Sequence, residues 1–139
     1  MSISRWEHFP HEADMGLRGI ASTKSETFEQ AALATTAVVT DPVTIEAGEA
    51  VEVRCDAPDD ELLLVDWFNA LVFEMVTRRW QIGRLQVRID HHRLSATGWG
   101  EPIDRERHQP GVEIKGATYT ALRVAQENGH WIAQTVVDV

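Results

Sequence analysis

The sequence predicts an α+β fold. One domain over residues 1–139 should hold a mixed or largely antiparallel sheet of about six strands, with two helices packed on one face. Three observations carry this expectation. Two stretches, opening at Thr23 and Pro58, combine helix-start signals with helically spaced apolar residues. Two others, 85–99 and 118–137, alternate apolar and polar residues about a turn. At 139 residues the chain can bury a core without disulfides or metal.

The elements follow in order. Trp6 to Phe9 and Met15 to Ala21 read as short strands flanking a loop at His11. Thr23-Lys24-Ser25-Glu26 has capping-box spacing, in which Thr and Glu satisfy each other's free amides at a helix start. Phe28, Ala31, Ala32, Ala34 and Val38 continue a small-residue helix able to approach a sheet closely, and Asp41-Pro42 ends it. After a strand from Val51 to Cys55, Pro58-Asp59-Asp60-Glu61 places proline and three acids in a first helical turn, where the helix dipole favours negative charge. The following apolar run, Leu62 to Val76, predicts the core helix, closed by Arg78-Arg79. Leu85 to Ile89 and Leu94 to Trp99 predict a hairpin turning at His91-His92. Thr118 to Val124 and Trp131 to Val137 predict a second, turning at Asn128-Gly129. The five tryptophans read mostly as core, Trp99 least securely.

Composition narrows function. The formal charge is −9, with nine acids against the single base Arg54 between Asp41 and Asp66. Generic nucleic-acid binding rests on surplus Lys and Arg and is disfavoured, whereas solvated acidic faces or a basic protein partner are compatible. The lone cysteine, Cys55, excludes an intrachain disulfide and a thiolate-cluster zinc site. Met1 to Trp6 lacks the apolar core of a signal peptide, and no run approaches membrane-spanning length, so a cytoplasmic protein without membrane association is expected. No Walker loop, dinucleotide fingerprint or nucleophile-base motif is present.

The chemistry-bearing residues lie toward the two ends of the chain. His11-Glu12-Ala13-Asp14 precedes one predicted strand, and Val136-Val137-Asp138-Val139 finishes another. Should the ends meet, two carboxylates and terminal main-chain oxygens would gather, a repulsive set that a divalent cation relieves by accepting hard oxygen ligands. Calcium, magnesium and manganese suit such donors; His11 could ligate directly or support from behind. Asp14 as a loop cap and Asp138 as a solvated residue is the simpler alternative. Lys115 is one of only two lysines against eleven arginines, and reads either as an exposed strand residue or as a compact ammonium for phosphate or for balancing Glu113. His91-His92 fits a turn better than a metal site, and Arg107-His108 after Glu101 and Asp104 fits a partner-contacting loop or a local ion-pair network.

Together, His11-Glu12-Ala13-Asp14, Thr40-Asp41, Gly98-Trp99-Gly100-Glu101, Arg107-His108, the segment Gly111 to Tyr119 and the ending Val137-Asp138-Val139 resemble the archease family over nearly the whole chain. The resemblance implies an accessory protein, not an enzyme, that activates an RtcB-type RNA ligase. It would promote GTP-dependent guanylylation of that ligase and its multiple turnover in tRNA splicing or RNA repair, meeting RNA and GTP only through the ligase. It further implies a divalent cation, calcium in structures of the family, held by Asp14, Asp138 and Val139. Lys115 is implied as the functional lysine assisting the ligase. Asp41 reads first as a helix-end residue, and its place in the family motif leaves it a role supporting the metal site from behind. Gly116, Val112 and Val139 depart from the residues common in the family, and Gly116 could loosen the strand carrying Lys115. A stand-alone metal-dependent phosphoesterase and a general chaperone-like module are the competing functions.

Overall fold

The computed structural model describes residues 3–108 and 110–139, so Met1 and Ser2, at the start of the terminus read above, lie outside it. A hairpin of β1 (Ser4–His11) and β2 (Asp14–Ala21) leads into helix α1 (Lys24–Val39). Thr23 caps α1 by accepting from the Glu26 amide, as the capping-box spacing predicts. A 3-10 turn (Pro42–Thr44) and β3 (Glu49–Asp56) precede helix α2 (Asp60–Arg78), whose N-cap Asp59 accepts from the Leu62 amide at 2.8 Å. Strands β4 (Trp80–Asp90) and β5 (Arg93–Pro102) form the second hairpin. A four-residue helix α3 (Arg105–His108), a two-residue β6 (Gly116–Ala117), β7 (Arg123–Glu127) and β8 (His130–Asp138) complete the chain.

In place of one sheet of about six strands, these eight strands form two sheets. One has β2 between β1 and β8, with β6 and β7 both pairing the far side of β8; the other runs β3-β5-β4, and all pairings are antiparallel. The sheets stay separate in part because α1, not another strand, covers the edge of β4. Glu29 Oε2 accepts from the Val87 amide at 2.8 Å and Ser25 Oγ from the Ile89 amide at 3.2 Å, so helix side chains satisfy donors that a strand would otherwise take. Residues of both helices and both sheets form one core, with Phe28, Leu63, Leu64, Trp67 and Phe68 fully buried. The Trp67 indole donates to the Phe28 carbonyl at 3.0 Å, tying the two helices together.

Three expectations change in detail. The predicted strand from Thr118 to Val124 forms only at its end: β6 stops at Ala117, paired with Val137, and β7 starts at Arg123, paired with Gln134, so the five residues 118–122 span what two cover on β8. The excess loops out, with Ala121 at φ 55°, while Thr135 Oγ1 bonds the carbonyls of Thr118 and Thr120. His11 ends β1 instead of lying in a loop, because the chain turns within Glu12-Ala13, with Glu12 at φ 54°. Trp67 and Trp80 are core residues, but Trp6 is exposed on edge strand β1, and Trp99 and Trp131 are half-buried beneath Arg84 and Lys24 respectively. The turns at His91-His92 and Asn128-Gly129 are as predicted.

Candidate functional site

The start of β2 and the end of β8 come together through the central pairing of the larger sheet. Met15 of β2 pairs with Val137 of β8, so the antiparallel register sets Asp14 opposite Asp138 one step further on. On the other side of Asp14, His11 is its partner in β1; on the other side of Asp138, Gly116 is its partner in β6. The Lys115 amide donates to the Asp138 carbonyl at 2.8 Å, extending the ladder by one bond. His11, Asp14, Asp138 and Lys115 therefore occupy one end of four neighbouring strands.

Strand geometry separates these residues by role. Side chains directly opposite on neighbouring strands have Cβ atoms about 4.5–5.5 Å apart, so Asp14 and Asp138 are within reach of one ion. His11 stands two strands from Asp138, about 10 Å at ordinary strand spacing. In keeping with a row instead of a cage, no group of three or more His, Cys, Asp or Glu side chains is placed to hold a metal among the described residues. Two carboxylates would need main-chain oxygens to complete a coordination shell. Val139, next to Asp138 and packed partly against the core, carries such oxygens. Such all-oxygen donors suit a hard divalent cation. Cys55 adds no thiolate, since burial and then the Asp66 carboxylate push its thiol up to about 11.

Asp14 is half-buried, Asp138 and Lys115 are exposed, and Lys115 makes no ion pair among the described residues. Its ammonium is thus free for a partner. Its neighbours are anchored, with Ile114 buried and the Ala117 amide donating to Asn69 Oδ1 of α2 at 3.0 Å. Gly116, whose added Cβ would meet nothing closer than 3.7 Å, is held in the ladder between the Lys115 amide bond and the Ala117 pairing.

Asp41 is engaged elsewhere. Its carboxylate accepts from the Val43 amide at 3.1 Å and its carbonyl from the Thr44 amide at 3.0 Å, capping the 3-10 turn. The adjacent Thr40 hydroxyl donates to the His108 carbonyl. This joins Thr40-Asp41 to a second constellation, in which Arg107 pairs with Glu101 and, at 3.1 Å, with Glu46, while Asp104 caps α3 through the amides of Glu106 and Arg107. Arg107-His108 accordingly belongs to a local ion-pair network. His108 is buried: its Nδ1 accepts from the Asp104 amide at 2.8 Å, and its Nε2 has no hydrogen-bond partner, lying 3.7 Å from Glu101 Oε2. Burial, reinforced by the Arg107 charge, lowers its pKa below 6.5.

Sequence reasoning did not find a groove of about 1020 Å³ beside the carboxyl end of α2, floored by Val72, Val76 and Ile114. Its only sequence signal is the Arg78-Arg79 pair following an apolar helix.

Fold and site define a small α+β protein that gathers two acids from distant parts of its chain, and one unpaired lysine, at one end of a sheet. The chain belongs to the archease protein family, which it matches over residues 6–139. It is 37% identical to the protein archease of Thermococcus gammatolerans, covering 99% of this chain and 100% of that one. The solution structure of Methanobacterium thermoautotrophicum protein 1598 superposes with a TM-score of 0.83 at 32% identity, covering 96% of this chain and 98% of the other. A Thermotoga maritima archease, described as a possible chaperone, shares the fold with a TM-score of 0.59 at 17% identity over 96% of each chain. No helix among the described residues is long and apolar enough to cross a membrane.

Proposed function

We propose that this chain is a cytoplasmic accessory protein of an RtcB-type RNA ligase, promoting GTP-dependent guanylylation of the ligase and its multiple turnover in tRNA splicing or RNA repair. Membership of the archease family supports the reading. The observation that carries it is the register that brings Asp14 opposite Asp138 while the Lys115 amide bonds the Asp138 carbonyl. Asp14, Asp138 and Val139 would hold a divalent cation, calcium, magnesium or manganese, that when bound neutralises nucleotide phosphate charge. Lys115, exposed and without an ion pair among the described residues, would meet phosphate in the ligase's active site. His11 supports Asp14 from the neighbouring strand, and RNA and GTP are met only through the ligase.

The test mixes the purified chain with an RtcB-type ligase, GTP and metal, and follows covalent guanylylation of the ligase. The wild type should accelerate the step; Asp14→Ala, Asp138→Ala and Lys115→Ala should each abolish most of the acceleration. A wild type that leaves the rate unchanged overturns the proposal, and a fully active Lys115→Ala removes the lysine from it.

A further inference from the structure

The groove beside α2 differs in charge from the rest of the molecule. In a chain of net charge −9, three bases, Arg78, Arg79 and Arg105, line it against one acid, Glu113. Arg78 is paired with Glu74, but Arg79 and Arg105 make no ion pair among the described residues. The apolar lining is unusually open: Val76 is 52% and Val112 47% exposed, and Phe73, one turn before Val76 on α2, is 63% exposed. Such neighbouring apolar exposure on a small protein marks a contact surface.

Gln81 lines the groove at only 6% exposure, and its Oε1 has no partner. A buried amide oxygen without a donor costs free energy that an incoming N–H would recover. Apolar side chains, two free guanidinium groups and one orphaned acceptor together describe what would fit: a chain segment with apolar residues, carboxylates and a free amide N–H.

We propose that this groove docks an acidic, amphipathic segment of a partner protein. The segment's apolar side chains cover Val76 and Val112, its carboxylates pair with Arg79 and Arg105, and one of its N–H groups donates to Gln81 Oε1. The groove reaches the candidate cation site through the chain itself. Ile114 lines the groove, and the next residue is Lys115. A partner seated here is thereby held beside that lysine.

The test uses two synthetic peptides with leucine at every third or fourth position and either glutamate or lysine between, titrated into the isotope-labelled full chain at low salt. The glutamate peptide should shift the methyl signals of Val72, Val76, Val112 and Ile114, and the lysine peptide should not. Arg79→Glu with Arg105→Glu should weaken the glutamate peptide by about tenfold or more, and added salt should narrow that difference. Val112→Asp, on an exposed loop, should weaken it as well without altering the fold. Equal binding of both peptides, shifts located elsewhere, or no shift at all overturns the proposal. So does a homodimer that the double arginine variant dissociates, or single-stranded RNA shifting the same methyls in preference to the peptide. The assay contains neither ligase nor metal, so its failure leaves the ligase proposal standing.

Discussion

The backbone amide of Lys115 and the carbonyl of Asp138 are joined by a 2.8 Å hydrogen bond, which ties the segment entering β6 to the end of β8. Asp14 stands opposite Asp138 in the same row, whereas His11 is a strand further away. Divalent-ion binding should follow that order. Asp14→Asn and Asp138→Asn are each expected to weaken calcium or manganese binding by about tenfold or more, the equivalent of roughly 1.4 kcal/mol, and His11→Ala by clearly less. Titration calorimetry on the isolated chain measures this, and a larger effect from His11→Ala would relocate the site.

The link from Glu29 to the Val87 amide closes the edge of the smaller sheet. Burial raises the Glu29 pKa, showing that the carboxylate pays a desolvation cost that the Val87 bond partly offsets. Glu29→Ala leaves a strand amide without its acceptor and should destabilise the fold by about 1–3 kcal/mol in urea titrations. Glu29→Gln keeps an acceptor oxygen and should lose less. Equal losses for the two variants would show that the bond contributes little.

Much of this organisation is written in local patterns. The capping box at Thr23, the acids at Asp59 to Glu61 and the Asn128-Gly129 turn act over a few residues, so the helix starts and hairpins were readable. The separation into two sheets was not, because it depends on Ser25 and Glu29 meeting β4 some sixty positions away. Nor do alternation patterns reveal that Thr118 to Leu122 bulges off β8, since the residues remain strand-like in type. At the candidate site the residues Asp14, Asp138 and Lys115 could be named from the resemblance to archeases. Their shared strand-end row required the register, and the groove by α2 required the loop between Pro102 and Ile114 to be folded.

Gly19 shows how closely α1 lies on the larger sheet. A Cβ built there would sit 2.3 Å from the Thr27 carbonyl oxygen and 2.6 Å from the Ala31 nitrogen, both backbone atoms of the helix. The helix can relieve this only by moving as a body. Gly19→Ala should therefore cost at least the roughly 1–3 kcal/mol typical of overpacking, read as a lowered urea midpoint. Gly111→Ala, where an added Cβ meets nothing within 4 Å, is the control and should be nearly neutral.

His108 gives the fold a dependence on pH. Its Nδ1 must stay unprotonated to accept the Asp104 amide, and its buried ring beside Arg107 disfavours charge more than Asp104 and Glu46 favour it. Its folded-state pKa is therefore below 6.5, and on acidification the unfolded chain takes the proton first. Stability associated with His108 is fully present above that ordinary value, is lost as pH falls from it towards the folded-state pKa, and loses nothing more below that. His108→Asn can retain an acceptor for the Asp104 amide without a titrating ring. The variant should be less stable than wild type at neutral pH, because a smaller side chain leaves a cavity. Between about pH 7 and pH 5 its stability should nevertheless fall less steeply than that of the wild type. Urea midpoints across that range provide the comparison, and parallel slopes for the two proteins would show that His108 does not set the acid sensitivity.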